Sequence, residues 1–476
     1  MYESLKRIES VKILLGVTFF ILLNACTAHY PINNPIISTN QVKDYSLEDK
    51  SDTGRSDDLL LLLTFSGGGT RAASFSYGVL QTLAETQIMV NGKKRRLLDE
   101  VDGISSVSGG SFTAAYYGLF GDRIFKDFET KFLKRNVQSE LAKRLFSPFS
   151  WPKLASLYFE RSDLAAEYYD EILFENKTFQ DFVTSKGPLI AINATDAALG
   201  SQFTFFGNQF APICTDLASF PVSRAVTASS AVPGAFSSII LKNYAGTCNY
   251  HLPEWATRAL HERNVTTREY QHAKRIKSYL LAEQYPYIHL FDGGISDNLG
   301  IRTIVDTTFM KGGIWKKLID LDLEETTTKI AIIVVNARKE MDVQFTKKDY
   351  SIPLFDTISV ATSIPLDKYS FETMEILRNN MSQWRTAITA RRCQGKKKPK
   401  FETSPAVSTK IPECGVQTYL IEVSFEMMAD ESEREYLDSL PTSFDLEPND
   451  VDRLKAAAQQ ILTDSVKFQN LVTDLQ

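Results

Sequence analysis

Apolar residues fall in two rhythms along this chain, and the alternation between them predicts its architecture. Leu59–Phe65 is an unbroken apolar run, LLLLLTF, the pattern of a short strand covered on both faces. It stops at SGGGTR, Ser66–Arg71, and Phe75, Val79 and Leu83 then recur on one helical face. LLDEVDGISSVSGG followed by SFTAAYYGLF repeats the order of strand, tight turn and helix. PLIAINATD (Pro188–Asp196), YIHLF before Asp292, KIAIIVVNA (Lys329–Ala337) and VQTYLIEVSF (Val416–Phe425) predict further strands, with helical patterns between many of them. EPNDVDRLKAAAQQIL predicts a C-terminal helix, and Pro448 and Asn449 suit its start. Alternating strands and helices indicate an α/β sandwich with a largely parallel sheet.

Residues 1–58 break the pattern. A basic start with Lys6, Arg7 and Lys12 precedes the apolar run Ile13–Leu23. As a helix that run would span about 16 Å, too short for a bilayer core of about 30 Å. Basic start, short apolar run and small residues together predict a secretory signal, residues 1–25, over the alternative of a buried helix of the fold. It closes on LNAC, Leu23–Cys26, which resembles the lipobox of bacterial lipoproteins. That resemblance implies cleavage before Cys26 and acylation of its thiol, hence a membrane-anchored lipoprotein of the bacterial cell envelope, in the outer membrane. Two or three acyl chains would hold it firmly, at about 0.8 kcal/mol per buried methylene. Residues 26–58 are polar and without sustained periodicity, which predicts a flexible tether.

The composition is that of an ordinary globular protein, 43% hydrophobic and 23% charged over 476 residues. A formal net charge of −5 argues against a nucleic-acid partner. Besides Cys26 there are Cys214, Cys248, Cys393 and Cys414. Export favours disulfides, and of the three possible connectivities nearest-neighbour pairing is the simplest. No CxxC or His-Cys cluster appears, so no metal is expected. The basic run Gln394–Lys400 reads as a solvated loop or a contact for anionic lipid.

Candidate chemistry gathers at the turns. In SSVSGGS, Ser105–Ser111, a strand-to-helix turn can hold a serine in strained geometry with its hydroxyl exposed. Only Ser108 has small residues two before and two after it, Ser106 and Gly110. Taken alone, the stretch also fits a purely structural turn. The three glycines of SGGGTR, Gly67, Gly68 and Gly69, can bring backbone N–H groups close to developing negative charge. A phosphate-binding loop is the other reading, although no GK[ST] follows. In FDGGISDNLG, Phe291–Gly300, Asp292 ends a strand and enters a turn through Gly293 and Gly294, which ordinary turn chemistry would also explain.

GGGxR, SxSGG and DGG in this order, with VTASSAVPGAF (Val226–Phe236), resemble the patatin-like phospholipase family. The resemblance spans about Leu59–Asp306. It implies a three-layer α/β/α sandwich and hydrolysis of lipid acyl esters, of the phospholipase A or lysophospholipase type, by a Ser-Asp dyad without cofactor. Ser108 would be the nucleophile, Asp292 its base, and Gly67, Gly68 and Gly69 the oxyanion hole. Ser106 stands where the family has glycine in the elbow, and Ala72 where the first loop often continues with glycine. Residues 59–306 would be the catalytic core and 307–476 an extension of the same domain, with a separate second domain as the alternative. Arg71 could hold a substrate phosphate or help polarise the oxyanion site, or else form a structural salt bridge at the helix start.

Two other classes remain open, a non-catalytic lipid-binding lipoprotein and a carboxylesterase acting on small esters. A peptidase or ordinary α/β-hydrolase would need a histidine after its acid, and none follows His289. His29 lies in the tether, and His251, His261 and His272 lie in a polar segment expected at the surface. His289 has an odd offset from Asp292, so it should face the other side of the strand. Arg144–Phe159, rich in apolar residues, would be core, or else a lid or membrane-facing patch.

Overall fold

The computed structural model describes residues 33–38, 45–47, 54–90, 92–156, 159–310, 312–338, 349, 354–394 and 414–476. The predicted signal, Cys26 and residues 395–400 of the basic run lie outside these. The strands are β1 (Leu59–Phe65), β2 (Gln87–Val90), β3 (Lys93–Arg96), β4 (Val101–Val107), β5 (Leu189–Asp196), β6 (Ser201–Thr204), β7 (Ile239–Lys242), β8 (Tyr287–Asp292), β9 (Lys329–Asn336) and β10 (Gln417–Ser424). Eight of them form one sheet in the order β10-β9-β1-β4-β5-β8-β7, with β6 beside β5, while β2 and β3 make a separate hairpin. The five strands from β10 to β5 are parallel, and β6, β8 and β7 are added antiparallel. This is the mixed, mostly parallel α/β fold expected.

The unbroken apolar runs have a simple cause. Along β9, Ala331, Ile333 and Val335 enter one apolar cluster and Ile330, Ile332 and Val334 the other. Both faces are covered, so no polar alternation is possible. One layer contains α1 (Gly69–Glu85) and α2 (Gly109–Phe120). Phe75, Val79 and Leu83 are fully buried there, as their spacing requires. After α3 (Val222–Ser229) and α4 (Arg268–Tyr279), the opposite layer contains α5 (Ile301–Met310) and the 39-residue α6 (Leu354–Arg392). The latter buries Met374, Leu377, Met381, Trp384 and Ile388, an apolar stripe at helical spacing that the sequence reading passed over, behind the interruption at Pro365. The C-terminal helix α7 (Pro448–Asp464) begins with proline in its first turn, as read. It packs on α1, and β9 and β10 sit in the central sheet, so these described elements after residue 306 share its core.

Two pieces of the segment read as a tether are also folded into that body, which corrects its description as free chain. Asn33 exchanges hydrogen bonds with the backbone of Lys242, at 2.8 and 2.9 Å. Tyr45 is 2% exposed, and its hydroxyl bonds both N–H and C=O of Ile190. Sparse apolar residues in polar surroundings carry no periodicity, so neither contact shows in the sequence. Disulfides join Cys214 to Cys248 and Cys393 to Cys414. Within the apolar insertion, Phe146, Phe149 and Trp151 are exposed at 75%, 93% and 60%, whereas Phe159 is buried. Among the described residues no helix is long and apolar enough to cross a membrane.

Candidate active site

Parallel β1 and β4 end side by side, and each passes directly into a helix, α1 and α2. This brings the glycine turn and SSVSGGS together at the C-terminal edge of the sheet, where open α/β folds place their sites. Ser108 occupies the sharp turn with φ 49° and ψ −121°. Left-handed backbone at a non-glycine residue is strained and persists only when its surroundings hold it. Here the Ser108 N–H donates to Ser229 Oγ at 2.9 Å, and that hydroxyl donates to the Asn193 carbonyl at 2.6 Å. Space is the second constraint. A Cβ on Gly110 would come within 2.7 Å of Phe65 Cβ and Ser66 O, and one on Gly109 within 2.0 Å of Gly69 O. Ser106, in place of the family's glycine, is accommodated because its hydroxyl donates to the Ala191 carbonyl at 3.1 Å. Ala72 is fully buried without disturbing the turn.

Asp292 ends β8 opposite this turn. Ser108 Oγ donates to its Oδ2 at 2.8 Å, and the Gly294 N–H donates to its Oδ1 at 2.7 Å. Burial pushes the carboxyl up to about 6, against the opposing pull of those two donors. Gly293 is required by contact, since a Cβ there would meet the Asn193 carbonyl at 2.2 Å. The segment VTASSAVPGAF braces both halves of the pair. Besides Ser229 holding the elbow, the Asp292 N–H donates to Ala231 O and the Gly293 N–H to Ser229 O, each at 3.0 Å. Of the other serines, Ser105 Oγ donates to Gly300 O and Ser111 Oγ pairs with Ser229 Oγ, so both are structural.

The glycine turn divides. Gly67 N–H donates to the Asn298 carbonyl at 3.0 Å, so it is not free to receive an oxyanion; this corrects its place in the predicted hole. Gly68 and Gly69, at φ 139° and 60°, have amides with no partner among the described residues. A Cβ on Gly67 would lie 3.2 Å from Ser108 Cβ and 2.5 Å from Asn298 Oδ1, so the loop and the Asn298 amide both border the serine. Asn298 was missed because a lone asparagine in a polar turn gives no sequence signal.

Arg71 is a further correction. Its Nε donates to Ala337 O at 3.1 Å, Nη1 to Leu440 O at 2.7 Å and Nη2 to Thr442 Oγ1 at 3.3 Å. It is 2% exposed, and the Asp438 carboxylate acts on it electrostatically. The guanidinium ties α1 to the segments after β9 and before α7, where a substrate phosphate would have to displace three partners. Burial lowers its pKa to about 10.

Among the described residues no histidine joins the pair. His289 faces away from Asp292, exposed, with Nδ1 against Ser238 Oγ at 3.1 Å. His272, expected at the surface, is buried against Trp255 and beside Arg275, and its pKa is pushed down to about 3 by burial. Among the described residues no group of acidic, histidine or cysteine side chains could hold a metal.

Fold and site together define an α/β protein with a strained serine elbow hydrogen-bonded to a buried aspartate. The chain belongs to the patatin-like phospholipase family, whose sequence profile matches residues 63–305. At family level it is therefore a lipolytic hydrolase with a lipid substrate. Among solved structures it is similar to human GIVD cytosolic phospholipase A2, with 13% identity and TM-score 0.42, covering 94% of this chain and 68% of that one. The same human enzyme in complex with methyl γ-linolenyl fluorophosphonate and terbium chloride matches at 12% identity and TM-score 0.37, covering 90% and 61%. No curated protein matches the chain.

Proposed function

We propose that the protein cleaves lipid acyl esters, of the phospholipase A or lysophospholipase type, with Ser108 as nucleophile and Asp292 as base. The observation that carries this is the 2.8 Å hydrogen bond from Ser108 Oγ to Asp292 Oδ2 at a positive-φ elbow. As Oγ bonds the acyl carbon, its proton passes to Asp292, and negative charge grows on the former carbonyl oxygen. The amides of Gly68 and Gly69 stabilise that charge. Collapse breaks the bond to the leaving alcohol, which takes the proton from Asp292. Water then attacks the acyl-serine, its proton passing to Asp292, and the second collapse frees the fatty acid and returns that proton to Ser108. A carboxylate within hydrogen-bond reach suffices as the base.

The test is hydrolysis of a panel of phospholipids, lysophospholipids and short acyl esters, with product analysis. Fluorophosphonate labelling should map to Ser108 alone. Labelling at Ser105 or Ser111, or turnover surviving Ser108→Ala, would overturn the assignment; cleavage of short esters only would leave a carboxylesterase.

We further propose anchoring through acylated Cys26. LNAC after a short apolar run supports it, as do two disulfides, which persist in oxidising compartments. Mass spectrometry of the mature protein should find an acylated N-terminal cysteine without residues 1–25. An intact, unacylated N-terminus in cells would refute it.

A further inference from the structure

Beside the acid turn opens a cavity of about 820 Å³ that the proposed acyl transfer does not use. It lies beyond the C-terminal end of β5, the same edge of the sheet as the elbow. Its near wall is Ser296, four residues past Asp292. Ser296 Oγ pairs with Thr195 Oγ1 at 2.8 Å, and Thr195 Oγ1 donates to the Asp292 carbonyl at 2.8 Å. Two hydrogen bonds therefore tie the cavity wall to the backbone of the acid turn.

The charge of the lining is opposite to that of the chain. The helix Arg268–Tyr279 turns one face into the cavity, carrying Arg268, Lys274 and Arg275, and Arg302 of α5 closes the far side. Against these four cations stand two carboxylates, Glu269 and Asp306. Asp306 is taken by Arg268, at 2.9 Å. Lys274 and Arg275 have no carboxylate partner within ion-pair distance among the described residues, and Arg302 feels the buried Asp297 carboxylate, which accepts its backbone N–H at 2.7 Å. Arg302 is held flat by Tyr369, 4.1 Å from the ring centroid, and its Nε is buried without a hydrogen-bond partner. Arg275 is steered by His272 Nδ1 rather than by a carboxylate. An oriented guanidinium with unspent donors, next to a second guanidinium and an ammonium, suits an anion with several acceptor oxygens. Arg71 is committed to Ala337, Leu440 and Thr442, whereas this cavity presents donors to a phosphate.

We propose that this cavity binds a phosphate-bearing group, the head group of the lipid whose acyl ester reaches Ser108. The proposal rests on the hydrolase reading above and deepens it, since it selects lipids with a phosphorylated polar end over neutral glycerides. Lysophosphatidic acid and the monoacylglycerol of the same chain differ only in the phosphate, so the ratio of their kcat/KM values isolates the cavity. In wild type the phosphorylated lipid is preferred. In Arg302→Gln, and in the doubly substituted Lys274→Gln/Arg275→Gln, that ratio falls by about tenfold or more, the loss expected from removing a charged hydrogen bond. Lys274 is exposed, so Lys274→Glu alone supplies a variant whose folding is not in question, checked by thermal melting.

Calorimetry with glycerol 3-phosphate and with inorganic phosphate runs beside the kinetics. Parallel weakening of glycerol 3-phosphate binding supports the head-group site. Loss of phosphate binding with an unchanged kinetic ratio keeps the anion site but overturns the head group as its source, in favour of free phosphate. Unchanged binding and unchanged ratio overturn the proposal. Binding that the variants abolish, in a protein that hydrolyses neither lipid, sinks the hydrolase reading and leaves the cavity's chemistry standing.

Discussion

At the scale of the residue, Asp292 has conflicting demands. As a base it must be ionised, yet it sits 7% exposed with a carboxyl raised to about 6 from 3.8. On the proposed mechanism kcat/KM falls as pH drops through about 6, because the protonated form accepts no proton from Ser108. A profile flat from pH 8 to pH 5 would exclude Asp292 as the base. Stability has its own sign. A native-state pKa above the unfolded value means the folded chain binds more protons between about 4 and 6, so stability falls as pH rises through that window. Asp292→Asn removes the buried charge. It should lower turnover by about 10²–10⁴-fold, yet melt higher than wild type at pH 8 by something on the order of 2–3 kcal/mol, with the gain shrinking toward pH 4. If Asp292→Asn were inactive because it unfolds, it would melt lower at every pH.

At the scale of the element, the elbow works because β1, β4, α1 and α2 meet without clearance. Gly110→Ala puts a methyl 2.7 Å from Phe65 Cβ and Ser66 O. Neither backbone nor core can yield cheaply there, so the turn should shift and turnover fall by about 10², read as a lower rate of fluorophosphonate labelling at Ser108. Arg71 gives the complementary case. Arg71→Gln breaks bonds to Ala337, Leu440 and Thr442 and should cost about 2–4 kcal/mol of stability, seen as a lower midpoint in urea. The kcat/KM ratio between phosphorylated and neutral lipid should stay the same. A fall in that ratio, with the midpoint unmoved, would restore the substrate-phosphate role that its geometry argues against.

At the scale of the whole molecule, segments distant in sequence close the body. Tyr45 is buried among Phe179, Phe182 and Phe206, so Tyr45→Ala should cost about 3–5 kcal/mol, measured by thermal or urea unfolding. A loss under about 1 kcal/mol, the size of an ordinary surface change, would mean this piece is not docked in solution. Ile36 packs beside the Cys214–Cys248 bridge and its N–H donates to Cys214 O at 2.9 Å. Peptide mapping without reductant should recover Cys214 with Cys248 and Cys393 with Cys414. Reduction should lower the melting temperature, each bridge contributing about 2–4 kcal/mol.

What the sequence determined by itself was local in cause. Apolar runs and helical spacing marked the principal strands and α1, α2 and α7, because burial on two faces or one stripe is written directly into residue order. The elbow serine, its small neighbours and the glycine turn were legible because strained backbone and close approach demand particular small residues. Pairing Ser108 with Asp292 came from a family resemblance, and their contact is made only when β8 docks antiparallel on β5. Tertiary structure alone decided the rest. Gly67 lost its amide to Asn298, and Arg71 turned inward to three acceptors. His272 went under Trp255, and Asn298 came up beside the serine. Each outcome depends on which distant backbone group arrives within about 3 Å of a polar atom. Residue order carries no period for such encounters, and only the packed sheet and its two helical layers set them.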